Sequence, residues 1–264
     1  MPNAYSEEKL LIKVIGDLAD FLPYLVLVGG WVPYVYAKYI WKNVPNLAVT
    51  TTDIDFGVVD KEFKGKVSVA SYVRKLGYGE RHVSMDRMFP FIPVVKDPTG
   101  SLKAEVEFIV DPKISKKIIN KIVGREIKIN EIENFSLLLK SVTTVSIDKH
   151  KIQIPTESMF VFHKLLTFVQ RENAEKLKKD LYYAYYILRF YPDKEHLINS
   201  ITLLCKNSKE GKEVKRNIHN YFSSVDSEGP ILIEQENGPD AYIDDLRQDI
   251  FGRFNKLREV CRFL

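Results

Sequence analysis

The chain has 264 residues, which is long enough for one large domain or two modest domains with a hydrophobic core. Apolar residues make up 45% of the chain and charged residues 28%, a composition that excludes an intrinsically disordered protein. The formal net charge of +4 is too small to indicate nucleic-acid binding by itself, although it permits an anionic partner.

The two cysteines and the hydropathy of the chain exclude other classes. Cys205 and Cys261 lie far apart and outside any Cys-x-x-Cys spacing, which argues against a thiolate metal site and a disulfide framework. The first residues include acidic side chains where a signal peptide would carry basic ones. No apolar run approaches the ~20 residues of a membrane span. We therefore expect a cytoplasmic protein with no membrane partner.

The first predicted elements are a helix, a short strand and a tight turn. Apolar residues over 7–22 fall on one stripe at helical spacing, which predicts a helix that Pro23 ends. The apolar run 24–28 predicts a buried strand. Gly29 and Gly30 predict a tight turn directly after that strand.

A helix, a strand, another helix and a hairpin follow in chain order. Residues 31–41 resume a helical pattern, 49–59 alternate as a strand does, and 66–76 predict a further helix. Two more strand patterns, over 82–95 and 101–110, flank an Asp-Pro-Thr-Gly turn. This pair predicts a β-hairpin.

The remaining patterns change from mixed to helical. Residues 113–123 predict a basic helix, and 125–154 predict further short strands. Five more helices are predicted, over 157–168, 174–190, 194–206, 210–223 and 243–262. The stretch 226–240 is rich in Gly, Pro and acidic residues and predicts a loop. We therefore expect an α+β fold, with a mixed β-sheet flanked by helices in residues 1–150 and a C-terminal helical domain in 151–264.

Two aspartates on the predicted strand 49–59 carry the strongest chemical signal. Asp53 and Asp55 are two residues apart, so both carboxylates leave the same face of the strand. Adjacent like charges repel, and a divalent cation between them removes that cost. Mg²⁺, or Mn²⁺ in its place, prefers carboxylate oxygens together with waters and substrate phosphates. We therefore predict that Asp53 and Asp55 are metal ligands and catalytic residues.

A third acid is expected on the second strand of the predicted hairpin. Glu105 and Glu107 share parity on that strand, so parity alone leaves both open. Glu107 has strongly apolar neighbours on both sides, including Val106 and Phe108, which makes a purely exposed role less natural. We predict Glu107 as the third catalytic and metal-binding acid, with Glu105 as the alternative.

The glycine pair that precedes the acidic strand indicates a phosphate. Without Cβ atoms, Gly29 and Gly30 allow the backbone to approach a phosphate closely and to offer N–H groups at the start of a helix. A glycine pair alone is a weak signal. Followed by a helix and then Thr-x-Asp-x-Asp, it is much more specific. We predict that Gly29 and Gly30 lie against a phosphate.

Together these residues resemble the nucleotidyltransferase superfamily, which has the DNA polymerase β-like fold. The resemblance rests on Leu-Val-Leu-Val-Gly-Gly at 25–30, Thr-Asp-Ile-Asp-Phe at 52–56 and Val-Glu-Phe-Ile at 106–109. It implies that the first two acids hold both metal ions and that Glu107 is a ligand or a base. Trp31 stands where many members have Ser or Thr, and Gly-Gly-Trp looks like the turn of lincosamide and aminoglycoside nucleotidyltransferases.

The helical half resembles the segment that follows the catalytic domain in abortive-infection (AbiEii-type) nucleotidyltransferase toxins. Lys164, Arg171 and the pair Lys179-Asp180 carry this resemblance, which implies that they serve the nucleotide site. Lys164 and Arg171 are seven residues apart and share a helix face if the helix is continuous. Cations at these positions would neutralise a triphosphate.

The resemblance implies an enzyme that uses Mg²⁺ or Mn²⁺ to transfer a nucleoside monophosphate from an NTP to an acceptor hydroxyl. The acceptor classes left open are tRNA, protein and a small molecule. The helical half favours a toxin-like acceptor, and Gly-Gly-Trp mildly favours a small molecule. One alternative is a non-catalytic nucleotide-binding or partner-binding module on the same fold. A weaker alternative is a structural partner in an operon-encoded complex.

Overall fold

The computed structural model describes residues 4–42, 44, 51–82, 90–236 and 245–262. The chain forms two compact units, the first made of Met1–Val32 with Thr50–Pro155 and the second of Pro33–Val49 with Thr156–Leu264. The sequence-based division into 1–150 and 151–264 differs from these units in two places. The first unit extends to Pro155, and the second unit takes in a segment from the first half of the chain.

The first unit is built on an eight-stranded mixed sheet. Its strands are β1 (Leu25–Val28), β2 (Asp53–Val58), β3 (Gly79–His82), β4 (Phe91–Lys96), β5 (Lys103–Val110), β6 (Ile129–Glu131), β7 (Val142–Ile147) and β8 (His150–Pro155). The order across the sheet is β3-β4-β5-β2-β1-β8-β7, and β6 pairs with β5. β2 runs antiparallel to β1 and parallel to β5, so the predicted acidic strands are neighbours at the centre of the sheet.

The strand patterns of the sequence correspond to strands of this sheet, except that Phe135–Leu138, within the stretch 125–154 predicted as short strands, forms a helix. β4 and β5 form the predicted antiparallel hairpin. β1 is buried along its whole length, as its uninterrupted apolar sequence predicts. Of the predicted strand 49–59, residues 49–50 lie outside the described residues, and so do residues 83–89 of the predicted strand 82–95. β8 begins at the predicted domain boundary and belongs to the sheet, because it pairs with both β1 and β7.

Short helices accompany the sheet. They are α1 (Ala4–Asp17), α2 (Trp31–Val35), α3 (Val69–Lys75), α4 (Lys116–Ile122) and α5 (Phe135–Leu138). The helix predicted over 7–22 ends earlier, at Asp17, and a 3₁₀-helix takes Ala19–Tyr24. Pro23 explains the change, because its ring would clash with the carbonyl four residues earlier in an α-helix. The helix predicted over 31–41 is α2 followed by a π-helical stretch, Tyr36–Trp41.

The second unit is helical in the part that the structure describes. Its helices are α6 (Glu157–Thr167), α7 (Ala174–Phe190), α8 (Lys194–Asn207), α9 (Gly211–Tyr221), α10 (Glu228–Gln235) and α11 (Leu246–Arg262). The π-helical stretch joins this unit, because Tyr36 packs edge-on against Phe160 and Trp41 donates a hydrogen bond to Glu157 at 3.0 Å. The tyrosines of α7, Tyr182, Tyr183, Tyr185 and Tyr186, are buried and form its core.

One sequence prediction was wrong in this unit. Residues 226–240 were expected to form a loop, but Glu228–Gln235 is the helix α10. Pro230 lies in the first turn of α10, where a missing N–H breaks no helical hydrogen bond. The high Gly and Pro content of the stretch hid this compatibility. Residues 237–240 lie outside the described residues.

The fold class predicted from the sequence is confirmed. The chain combines a mixed sheet flanked by helices with a C-terminal helical region. Within the described ranges, the structure contains no helix that is long and apolar enough to cross a membrane.

A buried aspartate fixes the chain where it leaves β5. Asp111 is 1% exposed, and its Oδ1 accepts a hydrogen bond from the backbone N–H of Lys113 at 3.0 Å. Its Oδ2 accepts one from the N–H of Ser136 in α5, also at 3.0 Å. One carboxylate thus satisfies two backbone donors from segments that are distant in sequence.

We expect Asp111→Ala to lower the free energy of unfolding by about 2 kcal/mol, because two backbone N–H groups lose their acceptor. Urea unfolding of the purified protein measures this. Glu133→Ala is the control, since Glu133 is exposed in the same region. Equal stability of the two variants would contradict the role given to Asp111.

Candidate active site

The predicted acids lie on one face of two paired strands. In the parallel register of β2 and β5, Asp53 lies opposite Glu105 and Asp55 lies opposite Glu107. Residues directly opposite each other in a ladder share a face, so all four carboxylates project from the same side of the sheet. We call these four residues the acidic quartet. Each is half-buried, whereas Ile54, between the aspartates, is fully buried.

Arg81 reaches the acidic quartet from two strands away. Ile92 of β4 pairs with Arg81 of β3. Val94, on the same face of β4, pairs with Glu105. Arg81 therefore lies on the acidic face, where its Nε is 2.5 Å from Glu105 Oε1 and its Nη2 donates to Oε2 at 2.6 Å. This is a bidentate guanidinium–carboxylate pair.

Other members of the quartet also act on Arg81. The hydrogen bonds to Glu105 raise the pKa of Arg81 most, and the charges of Glu107 and Asp53 raise it further. The guanidinium is thus within the electrostatic field of three of the four acids. Neither Arg81 nor its role could be found from sequence spacing, because its position depends on the pairing of β3, β4 and β5.

Glu107 has a different partner from Glu105. The side-chain amide of Asn130, on β6, donates a hydrogen bond to Glu107 Oε2 at 2.7 Å. An amide is neutral, so it orients the carboxylate without compensating its charge. The two glutamates that share parity on β5 are therefore distinguished by their neighbours. Sequence reasoning also missed Asn130.

The glycine turn lies directly against Asp55. Val28, the last residue of β1, pairs with Asp55, and Gly29 follows it with a φ of 71°. A Cβ atom built on Gly29 would lie 2.0 Å from Asp55 Oδ2. Only glycine combines this left-handed backbone with this close approach. Gly30 is buried, and Trp31, at the start of α2, is 2% exposed and belongs to the core.

The quartet does not by itself form a finished metal site. Across the residues that the structure describes, no three side chains of His, Cys, Asp or Glu converge closely enough to hold a metal ion as they stand. The strand register nevertheless places four carboxylates, each with hard oxygen donors, side by side.

The second unit contains a buried ion cluster made of three of the predicted residues. Lys164 of α6 pairs with Asp180 Oδ1, and Arg171 Nε lies 2.7 Å from Asp180 Oδ2. Asp180 is 4% exposed. Burial acts to raise the pKa of Asp180, but the charges of Lys164 and Arg171 outweigh burial and hold it below the ordinary value.

The helix that was to place Lys164 and Arg171 on one face is not continuous. α6 ends at Thr167, a 3₁₀-turn follows, and Arg171 has extended backbone. The side chains of Lys164 and Arg171 nevertheless lie close together, because both form ion pairs with Asp180. His163, next to Lys164, is 5% exposed, and burial together with the charge of Lys164 lowers its pKa to about 3.

The carboxylate that Lys179 influences is that of Glu236, which is a different residue from Asp180, the next residue in the chain. Burial raises the pKa of Glu236, and the charge of Lys179 is the largest influence that opposes this rise. The structure therefore brings together Lys164, Arg171 and Asp180, and it places Lys179 near Glu236.

Comparison with known proteins assigns the chain to a family. The model of the nucleotidyltransferase family matches residues 9–198. The chain therefore belongs to the nucleotidyltransferase family. It is also similar to the crystal structure of an antigenic nucleotidyltransferase-like protein from Paracoccidioides brasiliensis, with 16% identity and a TM-score of 0.44 over 80% of this chain and 93% of that chain. No curated protein sequence matches the chain.

We expect Gly29→Ala to destabilise the protein more than Gly77→Ala does. Both glycines have positive φ, 71° and 76°, so both variants suffer the left-handed strain of roughly 1–2 kcal/mol. A Cβ on Gly77 would meet open space, whereas one on Gly29 would overlap Asp55. The additional loss at Gly29 should be about 1–3 kcal/mol, as for overpacking, and urea unfolding measures it. Equal losses would contradict the close contact between Gly29 and Asp55.

We expect Asp180→Asn to lower the free energy of unfolding by about 3–5 kcal/mol, because Lys164 stays buried without its counter-charge. The folded-state pKa of Asp180 is depressed, so its stabilisation is present above the unfolded value of about 3.9 and is lost as the pH falls through the folded value. Urea unfolding at pH 7 and pH 3 should therefore show a smaller difference from wild type at pH 3. Glu172→Gln, an exposed acid nearby, is the control. A difference that grows on acidification would contradict the ion cluster.

Proposed function

We propose that the protein transfers a nucleoside monophosphate from an NTP to an acceptor hydroxyl, releases pyrophosphate, and requires Mg²⁺ or Mn²⁺. Membership of the nucleotidyltransferase family supports transfer of a nucleotidyl group in general. The observation that carries the finer proposal is the acidic quartet, in which Asp53 and Asp55 lie in register with Glu105 and Glu107. Carboxylates at this density are a suitable donor set for a hard divalent cation that also binds phosphate oxygens.

The residues proposed to hold the cations are Asp53, Asp55 and Glu107. Their carboxylates would turn about their side-chain torsions to share an ion, which the common face of β2 and β5 allows. When bound, divalent cations neutralise charge on the phosphates and make the acceptor hydroxyl a better nucleophile. Because Gly29 has no Cβ, the backbone of the turn lies directly against the carboxylate of Asp55. Gly29 and Gly30 are proposed to lie against the triphosphate.

Glu107 is proposed as the third acid because of how it is held. The hydrogen bond from the neutral amide of Asn130 fixes one carboxylate oxygen and does not itself neutralise the charge of Glu107. An anionic, oriented carboxylate next to Asp55 suits a metal ligand or a base that accepts the proton of the acceptor hydroxyl. Glu105, which is bound by Arg81, has a weaker claim to either role.

Lys164, Arg171, Lys179 and Asp180 are proposed to serve nucleotide binding through their resemblance to AbiEii-type toxins. Asp180 holds Lys164 and Arg171 together, which supports a common role for these two cations. The same resemblance supports tRNA or protein as the acceptor and a toxin-like protein with an operon-encoded partner. The Gly-Gly-Trp turn supports a small hydroxylated molecule. We propose a cytoplasmic location for this activity.

The test is transfer of label from each α-³²P-labelled NTP, with Mg²⁺, to the RNA, protein and small-molecule fractions of a cell lysate. We expect wild-type protein to label one fraction and Asp53→Asn, Asp55→Asn and Glu107→Gln to lower the rate at least ~100-fold, since cation binding stabilises the transition state by several kcal/mol.

Glu131→Gln is the matched control, because Glu131 is an exposed acid on β6 of the same sheet and should keep wild-type activity. The proposal fails if wild-type protein transfers no more label than Asp55→Asn with any NTP and any fraction. NTP binding in a calorimeter without turnover would instead support a non-catalytic nucleotide-binding module.

A further inference from the structure

Glu105 and Glu107 lie on the same face of β5, so the sequence does not distinguish them. In the structure they have different partners. Glu105 is engaged by both a guanidinium Nε and an Nη of Arg81, at 2.5 and 2.6 Å. Glu107 accepts a hydrogen bond from the neutral amide of Asn130. One glutamate of the quartet therefore has a positive partner, and the other has a partner without charge.

We propose that Arg81 is a positioning residue that withholds Glu105 from the cation site and so leaves Glu107 as the third acid. This inference rests on the proposed metal-dependent function. Arg81 acts through Glu105 and is not itself a ligand. It binds the carboxylate of Glu105 bidentately, so each oxygen of that carboxylate accepts a hydrogen bond from the guanidinium.

The second effect of this pair is on Arg81 itself. The guanidinium lies in the field of Asp53 and Glu107, so these two acids would attract it if Glu105 lost its charge. An arginine bound to Asp53 or Glu107 would compete directly with a divalent cation. The Arg81–Glu105 pair thus keeps the guanidinium of Arg81 away from the site that is proposed for the divalent cation.

The pair is suited to mutation because it contributes little to folding. The side chain of Arg81 is 49% exposed and that of Glu105 is 23% exposed. Ion pairs at such exposure add little to stability. Variants at either position should therefore remain folded, and thermal unfolding confirms this for each protein before cation binding is measured.

The experiment is Mn²⁺ binding to the full chain, followed by electron paramagnetic resonance, for wild type, Glu105→Gln, Arg81→Met and the double variant. Glu105→Gln should weaken Mn²⁺ binding by about tenfold, because the released Arg81 competes for Asp53 and Glu107. Arg81→Met should tighten binding, because the face loses a positive charge and Glu105 becomes available.

The double variant separates the proposal from the simpler idea that Glu105 is a metal ligand. It removes one positive and one negative charge, so the net charge of the acidic face equals that of wild type. If Arg81 withholds Glu105, the double variant should bind Mn²⁺ within about threefold of wild type, since three acids remain and no arginine competes. If Glu105 is a ligand, the double variant lacks that ligand and should bind Mn²⁺ clearly more weakly than wild type, and this result would overturn the proposal.

Glu80→Gln is the matched control. Glu80 pairs with Arg74 at 2.6 Å in the same unit, and the side chains are 27% and 45% exposed. Breaking this pair should leave Mn²⁺ affinity unchanged.

The two proposals fail in different ways. If wild-type protein binds Mn²⁺ but the double variant does not recover wild-type affinity, only the role of Arg81 is contradicted. Wild-type protein that binds no Mn²⁺, with or without an NTP, overturns the cation site and the role of Arg81 together.

Discussion

The mutual repulsion of four carboxylates on two hydrogen-bonded strands is the constraint on which the rest of the site depends. Two unit charges 4 Å apart repel by roughly 1 kcal/mol in water and by about 4 kcal/mol near a protein surface. The parallel register of β2 and β5 places two such pairs side by side, Asp53 with Glu105 and Asp55 with Glu107. A sheet keeps this arrangement only when cations or hydrogen-bond donors compensate it.

The first unit compensates the four acids unequally, and this inequality is the basis of the proposed chemistry. Arg81 neutralises Glu105, and Asn130 orients Glu107 without changing its charge. Gly29 brings a backbone turn within reach of Asp55. A divalent cation is proposed to bind at the aspartates and Glu107. In the second unit the balance of charge is the opposite, because the single buried carboxylate of Asp180 pairs with two cationic side chains, Lys164 and Arg171.

Local patterns predicted which acids share a face of the strand, while long-range pairing decided which partner each acid has. The spacing of Asp53 and Asp55 fixes their common face by the geometry of a single strand. The choice between Glu105 and Glu107 has no such local answer, because Arg81 reaches the face only through the pairing of three strands. The helix α10 was missed because a proline breaks a helix at most positions. Pro230 is tolerated because it lies in the first turn of α10.

The most direct test of this account is anomalous diffraction from crystals soaked with Mn²⁺ and a non-hydrolysable NTP. We predict Mn²⁺ peaks within about 2.0–2.4 Å of oxygens of Asp53, Asp55 and Glu107, with Glu105 still bound to Arg81. Mn²⁺ bound away from Asp53 and Asp55, or bound by Glu105 in place of Glu107, would contradict the account.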